Sequence, residues 1–420
     1  MPPSALPHRC CRPARPTPTA DPTADLPLTD ASAEPSPRAL PYWRLSGFYF
    51  FYFAILGALV PYWSLYLQAI EFSSMQIGYL MALIMITRIV APNVGGWVSD
   101  RIDQRMVVVR VASVLTVIIF TGMFMSREFM WIAAIMTGFS FFWNAALPQF
   151  EANTLNHLGR DSKSYGRVRA WGSVGFIGVV VGAGFLLEHQ GIELVVPVLM
   201  AMMVGTLLAS LVVPDSAAPH AAHHKVHIGR LLRRPEVIAF FLACCLMQAS
   251  HGPFYTFFSI YLEQEGYGRG LVGSLWALGV IAEVGIFVLV PRLLPRMGAA
   301  RLLQWSLALA VVRWLVIGRC VDSLPALVFA QVLHAATFGM YHATAMAVVH
   351  RLFTGSTQGR GQALYSSLSF GAGGALGGLY SGYTWDWIGA APTFYIAAGL
   401  AALGWLIAVV GLRGRDHAAQ

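Results

Sequence analysis

The sequence contains few charged residues for its length. Charged residues make up 11% of the 420 positions, whereas hydrophobic residues make up 56%. A soluble domain of this size could not bury so much apolar surface, so the sequence predicts that lipid is the main solvent of the chain. The net charge of +8 does not indicate a nucleic-acid partner, because the basic residues lie in short loops between apolar runs, where membrane topology explains them.

The sequence also lacks the common signatures of enzymes and metal sites. It has no HExxH motif, no Walker glycine loop with its lysine and no GxSxG elbow, so we predict no enzymatic activity. The five cysteines do not have the spacing of metal ligands; they are Cys10, Cys11, Cys244, Cys245 and Cys320. Four histidines could bind a metal, but no cysteine or carboxylate completes the set, so we predict a solvated loop and neither metal nor cofactor; they are His220, His223, His224 and His227.

Residues 1–43 form the first segment. The segment is rich in Pro, Ala, Ser and Thr and lacks the apolar region that a signal peptide needs. We predict a disordered cytoplasmic tail. A transit peptide is an alternative that the acidic residues of the segment disfavour, and an over-extended start codon is another.

Twelve apolar runs follow, each long enough to cross roughly 30 Å of hydrocarbon as a helix. The predicted helices cover residues 44–68, 74–99, 105–126, 129–156, 165–188, 193–213, 236–263, 270–292, 300–319, 323–350, 360–386 and 391–412. A polar cytoplasmic linker at 214–235 separates an N-terminal half at 44–213 from a C-terminal half at 236–412, and a cytoplasmic tail follows at 413–420. We therefore predict an all-α membrane protein with two pseudo-symmetric six-helix halves around a central cavity.

The distribution of Lys and Arg predicts the orientation in the membrane. Alternate loops hold fifteen of these residues, whereas the remaining loops hold only Arg127, Arg269 and Arg319. Because cytoplasmic loops carry the excess of positive charge, both termini are predicted to lie in the cytoplasm of a bacterial cell, with the chain in the inner membrane.

A repeat relates the two halves. A shift of 195 positions aligns WSLYLQAIEFSSMQIGYLMAL (63–83) with FSIYLEQEGYGRGLVGSLWAL (258–278) without a gap. The same shift places Arg88 of the second predicted helix on Glu283 of the eighth. The halves therefore carry opposite charges at one equivalent depth, and we expect both side chains to face one central aqueous path.

Several ionisable residues lie within apolar helices, where an unpaired charge costs several kcal/mol and survives mostly when it is paired or faces water. They are Arg88, Glu283, Arg313 and His334, with Glu151 and Arg169 nearer the cytoplasm. Structural pairing could account for Glu283 with Arg313 and for Glu151 with Arg169. The helices still contain three arginines and only two carboxylates. An anionic substrate would balance the remaining positive charge.

Aromatic and polar side chains add candidates for substrate contact. Tyr66 could stack on an aromatic ligand, although packing explains most such rings. Gln248 and His251 on the seventh helix could lie opposite His334 on the tenth. Glycines recur on the fifth helix and on the eleventh, where they let helices approach closely, either as fixed packing or as a sliding contact between the halves; they are Gly172, Gly175, Gly178 and Gly182, and Gly374, Gly378 and Gly382.

The segment GWVSDRIDQR (96–105) resembles the loop motif of the major facilitator superfamily. Gly96, Asp100, Arg101 and Arg105 match that motif, whereas Asp103 stands where the motif has its second glycine and Gln104 replaces a basic residue. The resemblance implies a latch on the cytoplasmic face, in which Asp100 accepts from a helix N-terminus and Arg101 pairs across the face. The alternative is that these charges only set the topology.

Four further segments resemble the phenylpropionate permease branch, which is similar to lactose and nucleoside proton symporters; they are YGRVRAWGSVGF (165–176), SLWALGVIAEVGIF (274–287), VVRW (311–314) and QVLHAATFGMYHATAM (331–346). The resemblance implies that Glu151 and Arg169 bind substrate. It also implies that Glu283, Arg313 and His334 couple transport to protons. Thr337 stands where the lactose permease pattern has a carboxylate, which leaves Glu283 as the proton site.

The sequence thus predicts a secondary active transporter that moves a small organic anion, such as an aromatic carboxylate, by proton symport and alternating access. A monomer is predicted, driven by the proton gradient alone. The alternatives are a proton-coupled efflux antiporter for metabolites or drugs and a nucleoside or sugar symporter. A receptor or a passive channel is disfavoured, because the sequence shows neither a sensor domain nor a selectivity-filter repeat.

Overall fold

A computed structural model describes residues 40–159, 162–216 and 228–412 of the chain. The predictions for the first 39 residues, for the four linker histidines and for the tail at 413–420 lie outside the described residues. The predicted division into domains at 214–235 stays a prediction. Within that linker, the described residues include a short helix at Gly229–Leu232.

Twelve long helices occupy the described part of the chain, and their ends differ from the predicted ones by a few residues. They are α1 (Tyr42–Ala69), α2 (Ser74–Ile102), α3 (Arg105–Phe120), α4 (Phe129–Leu158), α5 (Ser162–Gln190), α6 (Val195–Val212), α7 (Pro235–Ser250 and Gly252–Gln264), α8 (Arg269–Met297), α9 (Ala299–Arg319), α10 (Leu324–His334, Ala335–Met340 and Tyr341–Leu352), α11 (Gln358–Tyr365, Ser366–Gly373 and Gly374–Ile388) and α12 (Ala390–Gly411). The all-α prediction is confirmed.

Three helices of the C-terminal half depart from regular α-geometry. α7 is interrupted at His251, and the central segments Ala335–Met340 of α10 and Ser366–Gly373 of α11 are π-helical. Eleven of the twelve helices are long and apolar enough to cross a membrane by length and composition. The remaining one is α11, which begins with the polar sequence QGRGQ and is rich in glycine.

The helices pack with the symmetry that the repeat predicts. Within the first half, α1 packs on α5 and α6, α2 on α4, and α3 on α4 and α6. The same pairings recur six helices later, since α7 packs on α11 and α12, α8 on α10, and α9 on α10 and α12. The halves meet along α2 with α11 and along α5 with α8, which are again equivalent contacts.

Glycines allow α2 and α11 to touch backbone to backbone near the end of the bundle where α2 begins, here called the outer end. A Cβ added at Gly78 would lie 2.6 Å from the carbonyl oxygen of Gly378, and one added at Gly382 would lie 2.6 Å from that of Ser74. The Met75 amide also donates to the Asp386 carboxylate at 3.3 Å. This end of α2 therefore lies close against α11.

The equivalent contact between α5 and α8 closes the other side of the outer end. The Gly270 amide at the start of α8 donates to the Glu188 carboxylate at 2.7 Å, and the Arg269 guanidinium donates to the Leu187 carbonyl oxygen at 2.9 Å. A Cβ added at Gly273 would collide with the Val180 carbonyl oxygen. The bundle is therefore closed at the outer end along both contacts.

The predicted glycine faces behave differently on the two helices. On α11, Gly374, Gly378 and Gly382 face α2, as a contact between halves requires. On α5, Gly172 and Gly175 face Phe53 and Phe50 of α1 in the same half. Gly178 and Gly182 have open space in the described part of the structure. Helix α5 instead approaches α8 at Val180 and Gly184, which lie one helical turn apart on another face of the helix.

Candidate functional site

Arg88 lies between the two halves. It is the middle residue of α2, and it is partly exposed. Its guanidinium carbon lies 4.7 Å from the centre of the Phe370 ring of α11, and Tyr52, Tyr255 and Glu151 lie within electrostatic range. No carboxylate of the described residues lies within 4 Å of it. Arg88 is therefore a cation that is held by an aromatic ring.

Four side chains of the C-terminal half form a surface that we call the aromatic wall, comprising Phe338, His342, Tyr365 and Phe370. The Phe370 ring centre lies 6.1 Å from that of Phe338, 5.8 Å from that of His342 and 5.7 Å from that of Tyr365. The His342 Nδ1 and the Tyr365 hydroxyl are 3.2 Å apart. Because Arg88 lies over Phe370, the wall is part of its surroundings.

Glu151 of α4 and Arg169 of α5 are brought together in the N-terminal half. Arg169 Nε lies 3.9 Å from a Glu151 carboxylate oxygen, and both side chains keep about a third of their exposure, 31% for Arg169 and 35% for Glu151. The Arg169 guanidinium also lies 3.8 Å from the centre of the Phe53 ring. The pair is therefore partly accessible, unlike a fully buried ion pair.

Glu283 pairs with His334 rather than with Arg313. Its carboxylate lies 3.8 Å from His334 Nε2, and both side chains are largely buried. The Arg313 guanidinium donates to the Ala330 carbonyl oxygen at 2.9 Å and to the Thr337 hydroxyl at 3.1 Å. The suggested ion pair between Glu283 and Arg313 is therefore wrong for this conformation, because α10 supplies the acceptors for the guanidinium.

Arg313 is fully buried, and the rings of Phe254 and Trp314 lie 4.1 Å and 4.6 Å from its guanidinium carbon. No carboxylate of the described residues lies within 4 Å of it. The sequence suggested one arginine in excess of the carboxylates. In the structure Glu283 lies beside His334, so two arginines, Arg88 and Arg313, have no carboxylate of the described residues within 4 Å. Of these two, only Arg88 keeps an exposed surface.

Three predicted substrate contacts lie in other surroundings. Tyr66 lines a pocket of about 380 Å³ near the outer end, together with Arg127 and Glu193. Gln248 is buried on α7. His251 is fully buried at the break in α7, where its Nδ1 lies 2.8 Å from the Met247 carbonyl oxygen. A role of these three residues in substrate binding stays a prediction.

The loop motif lies at the predicted cytoplasmic end. The Arg101 guanidinium lies 4.0 Å from the centre of the Trp97 ring of the same helix, and Arg105 donates to Gln149 of α4 at 3.5 Å. A Cβ added at Gly96 would also meet Gln149. These contacts lie within the N-terminal half, so the latch stays a prediction for a conformation in which the cytoplasmic ends meet.

Asp103 explains one departure from the motif. Its φ of 53° places it in the left-handed region, which glycine adopts without steric cost. Aspartate is among the few other residues that visit this region. The turn after α2 therefore keeps the backbone conformation that the glycine of the motif would supply.

The aromatic wall has no signal in the sequence. Phe338 and Phe370 lie in the two π-helical segments, and each additional residue in a π-turn rotates the side chains that follow it. Hydrophobic periodicity assumes regular α-geometry, so it assigns these residues to ordinary packing. A buried ring beside a mid-membrane arginine is visible only once the helices are placed.

The chain has relatives among known transporters. Residues 42–396 match the model of the MFS_1 like family. The chain is 31% identical over 353 residues to a probable 3-phenylpropionic acid transporter of Escherichia coli, covering 81% of this chain and 90% of that protein. It is 26% identical over 359 residues to a maltose permease of Geobacillus stearothermophilus, covering 83% of this chain and 89% of that protein.

A solved structure shares the fold. The crystal structure of the nucleoside transporter NupG matches with a TM-score of 0.79 and 15% identity, covering 89% of this chain and 99% of that one. Together with the family match, this likeness confirms the twelve-helix fold and the resemblance drawn from the loop motif and the repeat. The chain is a multi-pass membrane transporter of the major facilitator type, and it belongs to the MFS_1 like family.

Proposed function

We propose that this transporter carries a small organic anion, an aromatic carboxylate, together with a proton across the bacterial inner membrane. The observation that carries the proposal is Arg88, a partly exposed guanidinium in the middle of a membrane helix with no carboxylate of the described residues within 4 Å. A charge at this depth is retained where it faces a water-filled path and a ligand.

The chemistry of arginine favours a carboxylate as that ligand. The guanidinium presents a planar fork of donors that matches the two oxygens of a carboxylate, and such paired hydrogen bonds are roughly twice as strong as neutral ones. The cation–π contact with Phe370 is weaker and non-directional, so a bound carboxylate can replace it. The Glu151–Arg169 pair offers a second cation at the cytoplasmic side of the same space.

The proton is assigned to the neighbouring pair in the C-terminal half. Glu283 and His334 both accept protons, and they lie 3.8 Å apart with little exposure. A proton gained or lost at Glu283 changes the charge of its contact with His334, and so changes the strength of the contact between α8 and α10. We assign Glu283 to uptake and release of the proton, with His334 and Arg313 adjusting its affinity for protons between conformations.

The contacts between the halves support alternating access. The outer end is closed by glycine contacts along α2 with α11 and by hydrogen bonds along α5 with α8. These are equivalent contacts, so rocking one half against the other opens both together. The conformation described here is therefore assigned to the state that binds or releases substrate on the cytoplasmic side, in a monomer with both termini in the cytoplasm.

Binding of an acid and of its neutral amide to purified protein tests the proposal. We expect 3-phenylpropionate to bind at least about tenfold more tightly than 3-phenylpropionamide, because only the acid pairs with Arg88. Arg88→Lys should weaken acid binding and leave amide binding weak, whereas the control Arg127→Lys, in an exposed pair at the outer end, should change neither. Equal affinity of the unmutated protein for acid and amide would contradict an anion site.

A neutral sugar or nucleoside is the second candidate for the substrate. Relatives of this chain include a maltose permease and a putative nucleoside transporter, and the polar Glu151–Arg169 pair could bind hydroxyl groups. Maltose and uridine should not displace bound 3-phenylpropionate if the carboxylate proposal holds. Uptake into vesicles distinguishes a symporter from the alternative, an efflux antiporter. A symporter accumulates substrate when the inside is alkaline, whereas an antiporter accumulates it when the inside is acidic.

A further inference from the structure

Three rings on α10 are parallel and one helical turn apart. His334 and Phe338 have ring centres 5.3 Å apart with an interplanar angle of 7°, and Phe338 and His342 follow at 6.5 Å and 12°. The central ring, Phe338, belongs to the π-helical segment Ala335–Met340.

The second π-helical segment, Ser366–Gly373 of α11, brings Phe370 against these rings of α10. The Phe370 ring stands at 72° to the Phe338 ring with the centres 6.1 Å apart, an edge-to-face contact. π-Helical segments are rare, and π-bulges occur frequently at functional sites because they re-aim side chains. Here two of them aim phenylalanines of different helices at each other.

Phe370 connects Arg88 to the accessible part of this arrangement, because its ring centre lies 4.7 Å from the Arg88 guanidinium carbon, 6.1 Å from the Phe338 ring and 5.8 Å from the His342 ring. Phe338, His342 and Arg88 are partly exposed, whereas Phe370 and Tyr365 are buried behind them. Arg88 already lies over the Phe370 ring. A ligand whose carboxylate pairs with Arg88 can therefore reach Phe338 and His342 with a ring two or three bonds away from that carboxylate.

We propose that Phe338, supported edge-on by Phe370, is the ring-binding residue of the transporter, and that it selects anions with a planar aromatic ring over saturated anions of the same size. This inference rests on the proposed function, because Arg88 must hold the carboxylate for the ring to reach the wall. In this proposal the two π-segments hold the rings of Phe338 and Phe370 at a fixed distance from the guanidinium of Arg88.

Two acids of nearly equal size and charge test the inference on purified protein. 3-Phenylpropionate and 3-cyclohexylpropionate differ only in whether the ring is planar and aromatic. The unmutated protein should bind the aromatic acid roughly two- to twelvefold more tightly, which is the range of an aromatic pair beyond its buried area. Phe338→Leu should remove this preference by weakening the aromatic acid alone, and Phe338→Tyr should keep it.

Phe329→Leu is the matched control, because Phe329 lies on the same helix within an exposed apolar stripe with Val328 and Val332. It should leave the ratio of the two affinities unchanged. Phe370→Leu provides a second variant if Phe338→Leu does not fold, and it should also lower the ratio.

The outcomes separate this inference from the proposed function. If the unmutated protein binds neither acid, the proposed function fails and the inference fails with it. If it binds both acids with a ratio near one, or if Phe338→Leu weakens both acids equally, the anion site stands and the ring-binding wall is wrong.

Discussion

The two halves of this transporter handle charge in different ways. In the N-terminal half, Glu151 and Arg169 lie 3.9 Å apart and each keeps about a third of its exposure. In the C-terminal half, Glu283 and His334 lie 3.8 Å apart with 16% and 7% exposure, and Arg313 is fully buried. The sequence repeat places Arg88 and Glu283 at equivalent positions, so the difference has developed on one common framework.

The difference in burial decides what each cluster can do. The Glu151–Arg169 pair is partly exposed and its charges are 3.9 Å apart, so Arg169 can exchange Glu151 for a substrate carboxylate at a lower cost than a buried charge could. A buried charge costs several kcal/mol unless it is paired or hydrogen-bonded, so a change of protonation at Glu283 or His334 alters the balance between conformations. The Glu151–Arg169 pair therefore suits substrate binding, whereas Glu283 with His334 suits proton coupling.

The largest effect is expected for Glu283→Gln. The amide cannot carry the transported proton, so uphill accumulation should be lost completely while exchange of labelled for unlabelled substrate continues. For electroneutral symport of one proton with a monovalent anion, the unmutated protein should accumulate substrate about tenfold across a gradient of one pH unit, and the variant should reach a ratio near one. Uptake into proteoliposomes measures both quantities.

Glu193→Gln is the control for that experiment, because Glu193 forms an exposed pair with Arg127 at the outer end. It should keep full accumulation. Uphill transport by the Glu283→Gln protein, driven by a proton gradient, would remove Glu283 from the coupling step and with it the functional contrast between the halves.

Arg313→Met separates stability from function in the buried cluster. Replacing an unpaired buried charge by an apolar side chain of similar length is often neutral or stabilising, because the cost of burying the charge is removed along with two charge-assisted hydrogen bonds worth about 1.5–3 kcal/mol each. The melting temperature in detergent should therefore stay the same or rise, while uphill transport falls at least about tenfold. A markedly lower melting temperature with normal transport would show that Arg313 serves only the packing of α9 against α10.

Cysteines at positions 88 and 283 test whether both clusters border one aqueous path. Arg88 and Glu283 are each the middle residue of their helix, so a membrane-permeant thiol reagent that requires water should modify both Arg88→Cys and Glu283→Cys. Substrate should slow each reaction severalfold. Val332→Cys, in the exposed apolar stripe of α10, should stay unreactive. If only one central cysteine is protected, the two residues do not share a cavity.

Much of the architecture could be predicted because hydropathy and charge report directly on the membrane. Apolar runs of sufficient length indicated twelve helices, and the 195-residue repeat indicated two related halves whose helix pairings recur in the structure. The Glu151–Arg169 neighbourhood also follows from the resemblance, since helix placement is common to the family. These features depend on period and length, which a single sequence displays.

The finer parts of the site depend on geometry that the sequence does not display. The break at His251 and the two π-segments shift the side chains of the C-terminal half away from their expected faces. Glu283 was expected to be near Arg313, but the carbonyl oxygen of Ala330 and the hydroxyl of Thr337 hold that guanidinium on α10. Such nearby oxygen atoms compete with carboxylates for the guanidinium. Hydrophobic periodicity does not predict which acceptor the guanidinium will bind.

The smallest effect is expected at a turn that occurs once in each half. After α1, the Phe72 amide donates to the Leu67 carbonyl oxygen and the Glu71 amide to that of Gln68. After α7, Tyr267 and Gly266 make the same two bonds to Leu262 and Glu263, each 195 positions later. This is the Schellman arrangement, in which the residue after the helix end adopts a positive φ. Glu71 has a φ of 69° and Gly266 one of 85°.

Glu71→Gly should therefore stabilise the N-terminal half. A non-glycine residue in the left-handed region costs roughly 1–2 kcal/mol, and the greater flexibility of glycine in the unfolded chain offsets part of that gain. We expect a net gain of about 1 kcal/mol in the free energy of unfolding, seen as a higher melting temperature with unchanged transport, and Gly266→Glu should show the opposite shift. If Glu71→Gly lowers the melting temperature instead, the Glu71 side chain stabilises the turn by more than the backbone strain costs, and the equivalent turns of the two halves are held by different interactions.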